Sequence, residues 1–86
     1  MKIEFDPAKD AANRLKRGLS LSLGADVVRS AVNTVMDRRF DYGEERFVAF
    51  GYVAGRLHVC VFTVRGDATR IISVRKANEN EVARYG

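Results

Sequence analysis

The stretch RFVAFGYVAGRLHVCVFTVRGDATRIISVRK, residues 46–76, decides the fold of this chain. It contains three apolar runs, at 46–53, 56–65 and 70–76, separated by two short turns that contain glycine. Runs of this length that are rich in Val, Ile and Phe are typical of β-strands, and turns this short join neighbouring antiparallel strands. The middle run is apolar on both sides, which is typical of a central strand covered on both faces. We therefore predict an antiparallel meander over 46–76.

The N-terminal part of the chain predicts a short strand followed by a helix. Residues 2–6 alternate apolar and charged side chains, as a half-buried strand does. Asp6 and Pro7 form a typical helix start, and Gly18 is a typical stop. The apolar positions that share one side of this helix form its predicted buried face: Ala8, Ala11, Ala12 and Leu15.

A second helix is predicted over about 21–32, with Ser20 as its capping residue. Its predicted buried positions are Ala25, Val28, Ala31 and Val32. A further strand is predicted over 33–40, and the pair Asn78 and Glu81 predicts a capping box that starts a short C-terminal helix. The expected architecture is one α+β domain over 1–86, with an N-terminal strand and two helices, then the meander, then the short helix.

Cysteine content and hydropathy indicate the cell compartment of the protein. Cys60 is the one cysteine, so an internal disulfide is impossible, as is typical of a reducing cytoplasm. No apolar run approaches the roughly 20 residues of a membrane span, and no signal peptide opens the sequence. We therefore expect a cytoplasmic protein without membrane contact.

The sequence predicts neither a metal site nor a cofactor. His58 and Cys60 are too few ligands for a zinc site. They share one side of a strand, so a nucleophilic Cys–His pair is a minor alternative to a core cysteine beside a partly exposed histidine.

The positive charge comes mainly from arginine. The net charge is +4, with eleven arginines against four lysines. Arginine binds phosphate through two parallel donors and stacks on bases, so nucleic acid or an acidic protein is a suitable partner, and a merely solvated basic surface is the alternative. If strand arginines converge on one sheet face they form a phosphate site; otherwise each pairs with a nearby carboxylate, such as Asp41, Glu44, Glu45 or Asp67.

Three stretches together resemble the BrnT family. They are Phe5-Asp6-Pro7-Ala8-Lys9 with Asn13 and Lys16-Arg17-Gly18, then Asp41-Tyr42-Gly43-Glu44-Glu45-Arg46-Phe47, then Arg70-Ile71-Ile72-Ser73-Val74-Arg75-Lys76-Ala77. Glu81 and Tyr85 also fall where the terminal helix of that family has them, so the resemblance spans almost the whole chain.

The resemblance implies a RelE-like fold and a toxin of a type II toxin–antitoxin system. The implied activity is a metal-independent endoribonuclease that cleaves RNA and inhibits translation. The implied partner is a BrnA-type antitoxin, through whose DNA-binding domain the complex represses its own operon. Charge complementarity predicts an acidic antitoxin surface over Arg46, Arg65 and Arg75.

The resemblance also implies Lys16, Arg46, Arg65, Arg75, Lys76 and Tyr85 as site residues, and the charge of Arg17 and Arg70 adds these two as candidate phosphate contacts. The candidates for catalysis are Lys16, Arg46, Arg65 and Arg75. The candidates for RNA binding are Arg17, Arg70, Lys76 and Tyr85.

One of these positions departs from the family pattern. The family usually has histidine where this chain has Arg17, and arginine keeps its proton at any working pH. An alternative function is therefore a catalytically weakened toxin that binds its antitoxin and takes part in autoregulation of the operon. A nucleic-acid-binding domain of another origin is a third possibility.

Overall fold

The computed structural model describes residues 1–39 and 41–86, which form five strands and three α-helices. The strands are β1 (Lys2–Glu4), β2 (Ala31–Asp37), β3 (Arg46–Val53), β4 (Arg56–Arg65) and β5 (Ala68–Lys76). The helices are α1 (Pro7–Arg17), α2 (Gly24–Arg29) and α3 (Glu79–Tyr85), and a 3₁₀ turn (Leu21–Leu23) precedes α2. The predicted α+β class is thus confirmed. The last residue of the strand predicted over 33–40 lies outside the described residues.

All five strands belong to one sheet, in the order β1-β5-β4-β3-β2. β4 pairs antiparallel with both β3 and β5, so the predicted meander and its central strand are confirmed. β5 begins two residues earlier than predicted, because Arg65 pairs directly with Ala68 across a two-residue turn. β1 adds a parallel pairing to β5 at one edge of the sheet, and β2 forms the other edge.

The two faces of the sheet are packed differently. One face carries Ala49, Cys60 and Val74 and is covered by the 3₁₀ turn and α2 through the buried side chains of Leu21 and Val27. We call it the covered face. The opposite face is packed by α3 at one end only, where Tyr85 and Ala77 contact a second apolar cluster. We call it the groove face, and its central positions are Val48, Phe50, Val59, Val61 and Ser73.

The helix predicted over 21–32 is wrong at its last three residues and begins as a 3₁₀ turn. α2 ends at Arg29, and Ala31 and Val32 already belong to β2. The β-branched residues of β2 favour a strand, and pairing with β3 decides the outcome. Of the predicted buried positions, Ala25 is buried and Val28 and Ala31 pack partly buried against the core, whereas Val32 is exposed and Val27 is the residue that is fully buried.

Gly51 allows α2 to pack this closely. A Cβ atom at this position of β3 would overlap the carbonyl oxygen of Val27 and the side chain of Ser30. The helix backbone therefore rests directly on the strand, and any larger residue at position 51 would force the two elements apart.

α1 packs with the opposite side to the one predicted. Its start at Asp6 and Pro7 and its end at Gly18 are confirmed. However, the predicted buried face is exposed in full, and Leu15 is 91% exposed. The side chains that α1 turns toward the domain are the polar Asp10 and Asn13, which are only partly exposed.

Backbone groups at the edge of the sheet explain this orientation. β1 pairs with β5 only up to Arg70, so the peptide groups of Val74 lie beyond the end of β1. The Asn13 amide donates to the carbonyl oxygens of Val74 and Leu19, both at 2.9 Å, and its oxygen accepts the amide of Val74 at 3.4 Å. A buried peptide group without partners costs free energy, so one side chain here takes the place of a missing strand.

Asp10 adds a second polar anchor on the same side of α1. Its carboxylate accepts the backbone amide of Leu21 at 2.7 Å and the hydroxyl of Ser20 at 3.0 Å. The hydrogen bond from Leu21 is the main reason why the pKa of Asp10 lies below its usual range. These contacts join α1 to the 3₁₀ turn whose Leu21 side chain is completely buried.

We expect Asn13→Ala to lower the free energy of unfolding by about 1–3 kcal/mol, because both polar groups of Val74 lose their partner. Leu15→Ala in the same helix should change it by less than about 0.5 kcal/mol, since the leucine contributes little buried surface. Urea unfolding of the two variants measures both values. Equal losses, or a larger loss for Leu15→Ala, would contradict this packing of α1.

Candidate nucleic-acid interface

The four strand-associated arginines that the sequence singles out lie on the groove face. Arg46 is two residues before Val48 in β3, and side chains in a strand alternate between faces. The register places Arg75 opposite Val59 and Arg70 opposite Thr63. Arg65 follows Thr63 by two residues in β4 and shares its face. All four therefore lie on the groove face, with Arg46, Arg65 and Arg70 toward one end of the strands and Arg75 toward the other.

Three of these four cations have a carboxylate partner among the described residues, and the closest pair, Arg75 with Glu81, lies in the groove. Arg65 pairs with Glu44 at 3.3 Å, and Arg70 pairs with Glu4 of β1 at 3.5 Å. Arg65 is also the main reason why the pKa of Glu44 is lowered. Glu44 is one of the partners that the sequence suggests, whereas Glu4 comes from a distant part of the chain. Both pairs are at least partly exposed, so each contributes little to stability.

A groove of about 530 Å³ crosses the groove face and reaches α3. Two guanidinium groups border it, those of Arg39 and Arg75, together with the polar side chains of Ser73, Glu81 and Tyr85. Its floor is apolar and is formed by Val35, Val48, Phe50, Val59 and Val61. A concave site with an apolar floor and a few converging polar groups is the usual form of a ligand-binding pocket.

Arg75 is held in the groove by a bidentate ion pair with Glu81. Its two terminal nitrogens lie 2.7 and 2.8 Å from the two carboxylate oxygens of Glu81. The pKa of Arg75 is raised, mainly by these hydrogen bonds, while burial and the positive charge of Arg39 act in the opposite direction. The pKa of Glu81 is lowered for the same reason. Arg39 and Arg75 both line the groove, so their charges face the same space.

Arg39 is positioned by a carboxylate that is itself almost buried. Its Nε and Nη2 atoms each donate to the Asp37 carboxylate at 3.0 Å, and the hydroxyl of Tyr42 donates to the same group at 3.1 Å. The side chain of Asp37 is only 3% exposed. Hydrogen bonds from the side chain and the backbone amide of Arg39 are the largest causes that lower the pKa of Asp37 to about 2.

Arg46 lies next to this cluster. Its guanidinium carbon is 4.0 Å from the centre of the Tyr42 ring, which is the distance of a cation–π contact. Its buried Nε has no hydrogen-bond acceptor among residues 1–39 and 41–86. A buried donor of this kind costs free energy.

The remaining predicted residues are distributed over other parts of the surface. Lys16 and Arg17 are exposed in the last turn of α1, which packs against the edge of β5 and against the 3₁₀ turn. Lys76 is exposed at the end of β5 and, as the neighbour of Arg75, points to the other face. Tyr85 lines the groove, and its ring stacks on Phe50 with 4.1 Å between ring centres.

A scan against protein families matches residues 5–81 to the model of the ribonuclease toxin BrnT of type II toxin–antitoxin systems. The chain belongs to the BrnT family. Membership implies an RNA target and an antitoxin partner for this BrnT protein. No curated protein matches the chain. None of the helices over 1–39 and 41–86 is long and apolar enough to cross a membrane.

The minor alternative of a reactive Cys–His pair is wrong for this BrnT protein. Cys60 is completely buried, and burial raises its pKa to about 12, so its thiol stays protonated. His58 is 5% exposed rather than partly exposed, and its Nδ1 lies 2.8 Å from the carbonyl oxygen of Arg56. Both residues lie on the covered face, away from the groove. Among the described residues no group of three or more His, Cys, Asp or Glu side chains is placed to hold a metal ion.

Sequence reasoning missed Arg39 and the second role of Glu81. Arg39 follows the end of β2, so strand parity does not assign it to a face. Glu81 is correctly predicted as part of the capping box, in which its carboxylate accepts the amide of Asn78 at 3.0 Å. The same carboxylate also holds Arg75, and the six-residue separation of the two gives no simple periodic signal.

We expect Asp37→Asn to lower the stability of the protein at neutral pH and to remove part of its acid sensitivity. A folded-state pKa of about 2, below the ordinary 3.8, adds stability that is fully present above pH 4 and is lost as the pH falls through 2. Denaturant unfolding between pH 7 and pH 2 measures this loss in the parent and in the variant.

Asp26→Asn is the matched control for this charge, because the Asp26 side chain is 58% exposed and its ion pair with Arg29 spans 3.5 Å. It should leave the pH dependence almost unchanged. A parent-like pH profile for Asp37→Asn would mean that Asp37 is not held by Arg39 and Tyr42 in solution.

Proposed function

We propose that this BrnT protein is a metal-independent endoribonuclease toxin that binds the RNA backbone in the groove through Arg39 and Arg75. The observation that carries the proposal is the pair of guanidinium groups bordering one apolar-floored groove. Arginine presents two parallel donors to a phosphate, and its charge stabilises the additional negative charge of a pentavalent phosphate. The apolar floor and Tyr85 suit the flat faces of nucleotide bases.

The reaction proposed is transesterification by the RNA itself. The ribose 2′-hydroxyl attacks the adjacent phosphorus, a proton leaves that hydroxyl, and the bond to the 5′-oxygen breaks as this oxygen gains a proton. The products are a 2′,3′-cyclic phosphate and a 5′-hydroxyl. Such a reaction draws its nucleophile from the substrate, so the chain itself supplies charge stabilisation and positioning.

Arg75 must exchange one anion for another when RNA binds. In the free protein its donors are occupied by Glu81, and a phosphate with similar oxygen spacing fits the same fork. We propose that RNA displaces this carboxylate or shares the guanidinium with it. Arg46, Arg65 and Arg70 extend the positive charge along the same face. Lys16 and Arg17 of α1, together with Lys76, which points to the covered face, are proposed to add positive charge at the neighbouring edge of the sheet.

We also propose the fold, the cellular target and the partners that the family resemblance implies. The fold is RelE-like, and the protein cleaves RNA in the cytoplasm and thereby inhibits translation. A BrnA-type antitoxin binds the toxin and neutralises it. Contact with DNA is made by the antitoxin in the complex.

A second candidate function is a weakened toxin that serves as an antitoxin-binding module in autoregulation. The observation that favours it is the position of the chain's one histidine, His58, which is buried on the covered face. Together with Arg17 in place of the usual histidine, this leaves the groove without an imidazole for proton transfer. Growth arrest on induction of the chain supports the toxin; normal growth supports the module.

We expect Arg75→Ala and Arg39→Ala each to slow RNA cleavage roughly a hundredfold, which corresponds to about 2–4 kcal/mol of transition-state stabilisation. The rate is measured on purified protein with RNA in excess chelator. Because both arginines are proposed to act on one phosphate, the double variant should lose far less than the product of the two single losses.

Arg29→Ala is the matched control, since Arg29 is an exposed arginine on α2, on the other side of the sheet. It should cleave RNA at the parental rate. Arg75→Lys should recover little, because an ammonium lacks the paired donors. Parental cleavage by a folded Arg75→Ala variant would refute the site.

We expect Glu81→Gln to bind RNA about two- to fivefold more tightly than the parent, because it removes the anion that competes for Arg75. Glutamine keeps the capping hydrogen bond to Asn78, so α3 should remain in place. Fluorescence anisotropy with a 2′-O-methylated RNA, which cannot supply the attacking hydroxyl, measures the Kd without cleavage. Glu79→Gln is the control, because it removes one negative charge from α3 without removing a partner of Arg75. Its Kd measures how much the change in net charge alone tightens binding. An equal gain in both variants would contradict competition between Glu81 and RNA for Arg75.

A further inference from the structure

The outward face of α1 is an apolar surface that no other element of the domain covers. It consists of Ala8, Ala11, Ala12 and Leu15, all exposed. Their spacing of three, four and seven residues is that of a helix face which packs on another helix. We call these four residues the outward stripe. The three alanines are small enough for a second helix to approach closely, and Leu15, at 91% exposure, projects as a knob from the end of the stripe.

Packing within the domain gives no reason for this stripe to be apolar. α1 is attached by Asn13 and Asp10, which bond to backbone groups of β5 and of the 3₁₀ turn. Three exposed alanines followed by an exposed leucine bury little surface within the domain, so they contribute little to its folding. A contiguous exposed apolar patch is typical of an interaction surface.

The charges beside the stripe select the kind of partner. Lys9 and Lys16 are seven residues apart, so they lie along the same flank of the stripe, and both are exposed. Within the described part of the chain neither lysine forms an ion pair, unlike Arg65, Arg70 and Arg75 of the groove face. An acidic partner therefore gains more at these lysines than at arginines that already have a carboxylate.

The same charges argue against a second copy of this chain as the occupant. Two α1 helices packed through their outward stripes would bring lysine flanks together, which is unfavourable. Asp10, the acidic residue of α1, is turned inward with its side chain 15% exposed, so it does not offset this repulsion.

We propose that the outward stripe of α1 binds an amphipathic helix of the antitoxin, with acidic side chains of that helix placed against Lys9 and Lys16. This inference rests on the proposed pairing with an antitoxin and is independent of ribonuclease activity. The main contact with the antitoxin then lies on α1, beside the part of β5 that β1 does not cover. Charge alone predicts this contact over the arginines of the groove face instead.

The test is calorimetric titration of the purified chain with the antitoxin encoded by the reading frame that follows its gene. Leu15→Gln removes the apolar knob and should weaken binding about tenfold or more. Lys9→Glu reverses a flanking charge and should weaken binding about fivefold or more at low salt, with a smaller difference at high salt. Both residues are exposed, so circular dichroism and thermal unfolding should show parental folds.

Val32→Gln is the matched control, because Val32 is a 52% exposed apolar residue on β2, at the opposite edge of the sheet. It should bind the antitoxin as the parent does. Parental affinity of both Leu15→Gln and Lys9→Glu would overturn the proposal, and a loss for Val32→Gln without one for Leu15→Gln would instead assign docking to the free edge of β2. A parent that binds the antitoxin but cleaves no RNA would refute the ribonuclease proposal and leave this one intact.

Discussion

The peptide groups of Val74 impose a constraint on which the arrangement of the N-terminal half depends. β4 satisfies one side of β5 along its length, but β1 is only three residues long and ends before it reaches Val74. A buried amide and carbonyl in that position need partners. Asn13 provides them, which requires that α1 lie at the sheet edge with its polar side inward. The exposed apolar stripe is therefore a direct consequence of how the edge of the sheet is closed.

The same edge brings α1 close to the proposed site. Asn13 bonds to Val74, and the next residue, Arg75, points to the groove face with its guanidinium in the groove. A rigid hydrogen-bonded connection of this kind fixes the position of the strand that carries Arg75. Catalytic groups on strands are held more precisely than groups on loops, and Arg75 is held further by Glu81.

Electrostatic balance distinguishes this groove face from a simple basic patch. Arg39, Arg65, Arg70 and Arg75 each have a carboxylate partner, in Asp37, Glu44, Glu4 and Glu81 respectively. The partners keep the arginines extended and oriented, and they also compete with phosphate. In the proposed function, RNA binding depends on the exchange of one anion for another, and its net free energy is expected to be smaller than the number of arginines suggests.

The sequence was sufficient for the features that follow from local rules. Alternating side chains and short turns predicted β3, β4 and the central place of β4, and capping residues predicted where α1 and α3 begin. Strand parity did not predict that Arg70 and Arg75 share a face, because an odd separation of five residues puts them on opposite sides of a regular strand. The bulge in β5, where Val61 pairs with Ser73 but Phe62 pairs with Ile71, brings both to the groove face. Periodicity failed for α1, because it identifies two sides of a helix without saying which one the rest of the domain needs. The partners Glu4 and Glu81 were not predictable either, since tertiary packing alone brings them to the arginines.

Neutralisation of such a toxin requires more than attachment to α1. The outward stripe faces away from the sheet, so a helix bound there leaves the groove open to RNA. A partner that blocks cleavage must continue past the β5 edge and place a second segment over Arg75, or it must change the position of α1 and, through Asn13, that of β5. In the first case affinity arises from two linked contacts, and a weak contact in the groove suffices once the helix on α1 has raised its effective concentration. The groove arginines already have carboxylate partners within the chain, so an acidic antitoxin segment gains little affinity there. Most of the binding free energy then comes from the outward stripe, and the segment in the groove needs only to exclude RNA.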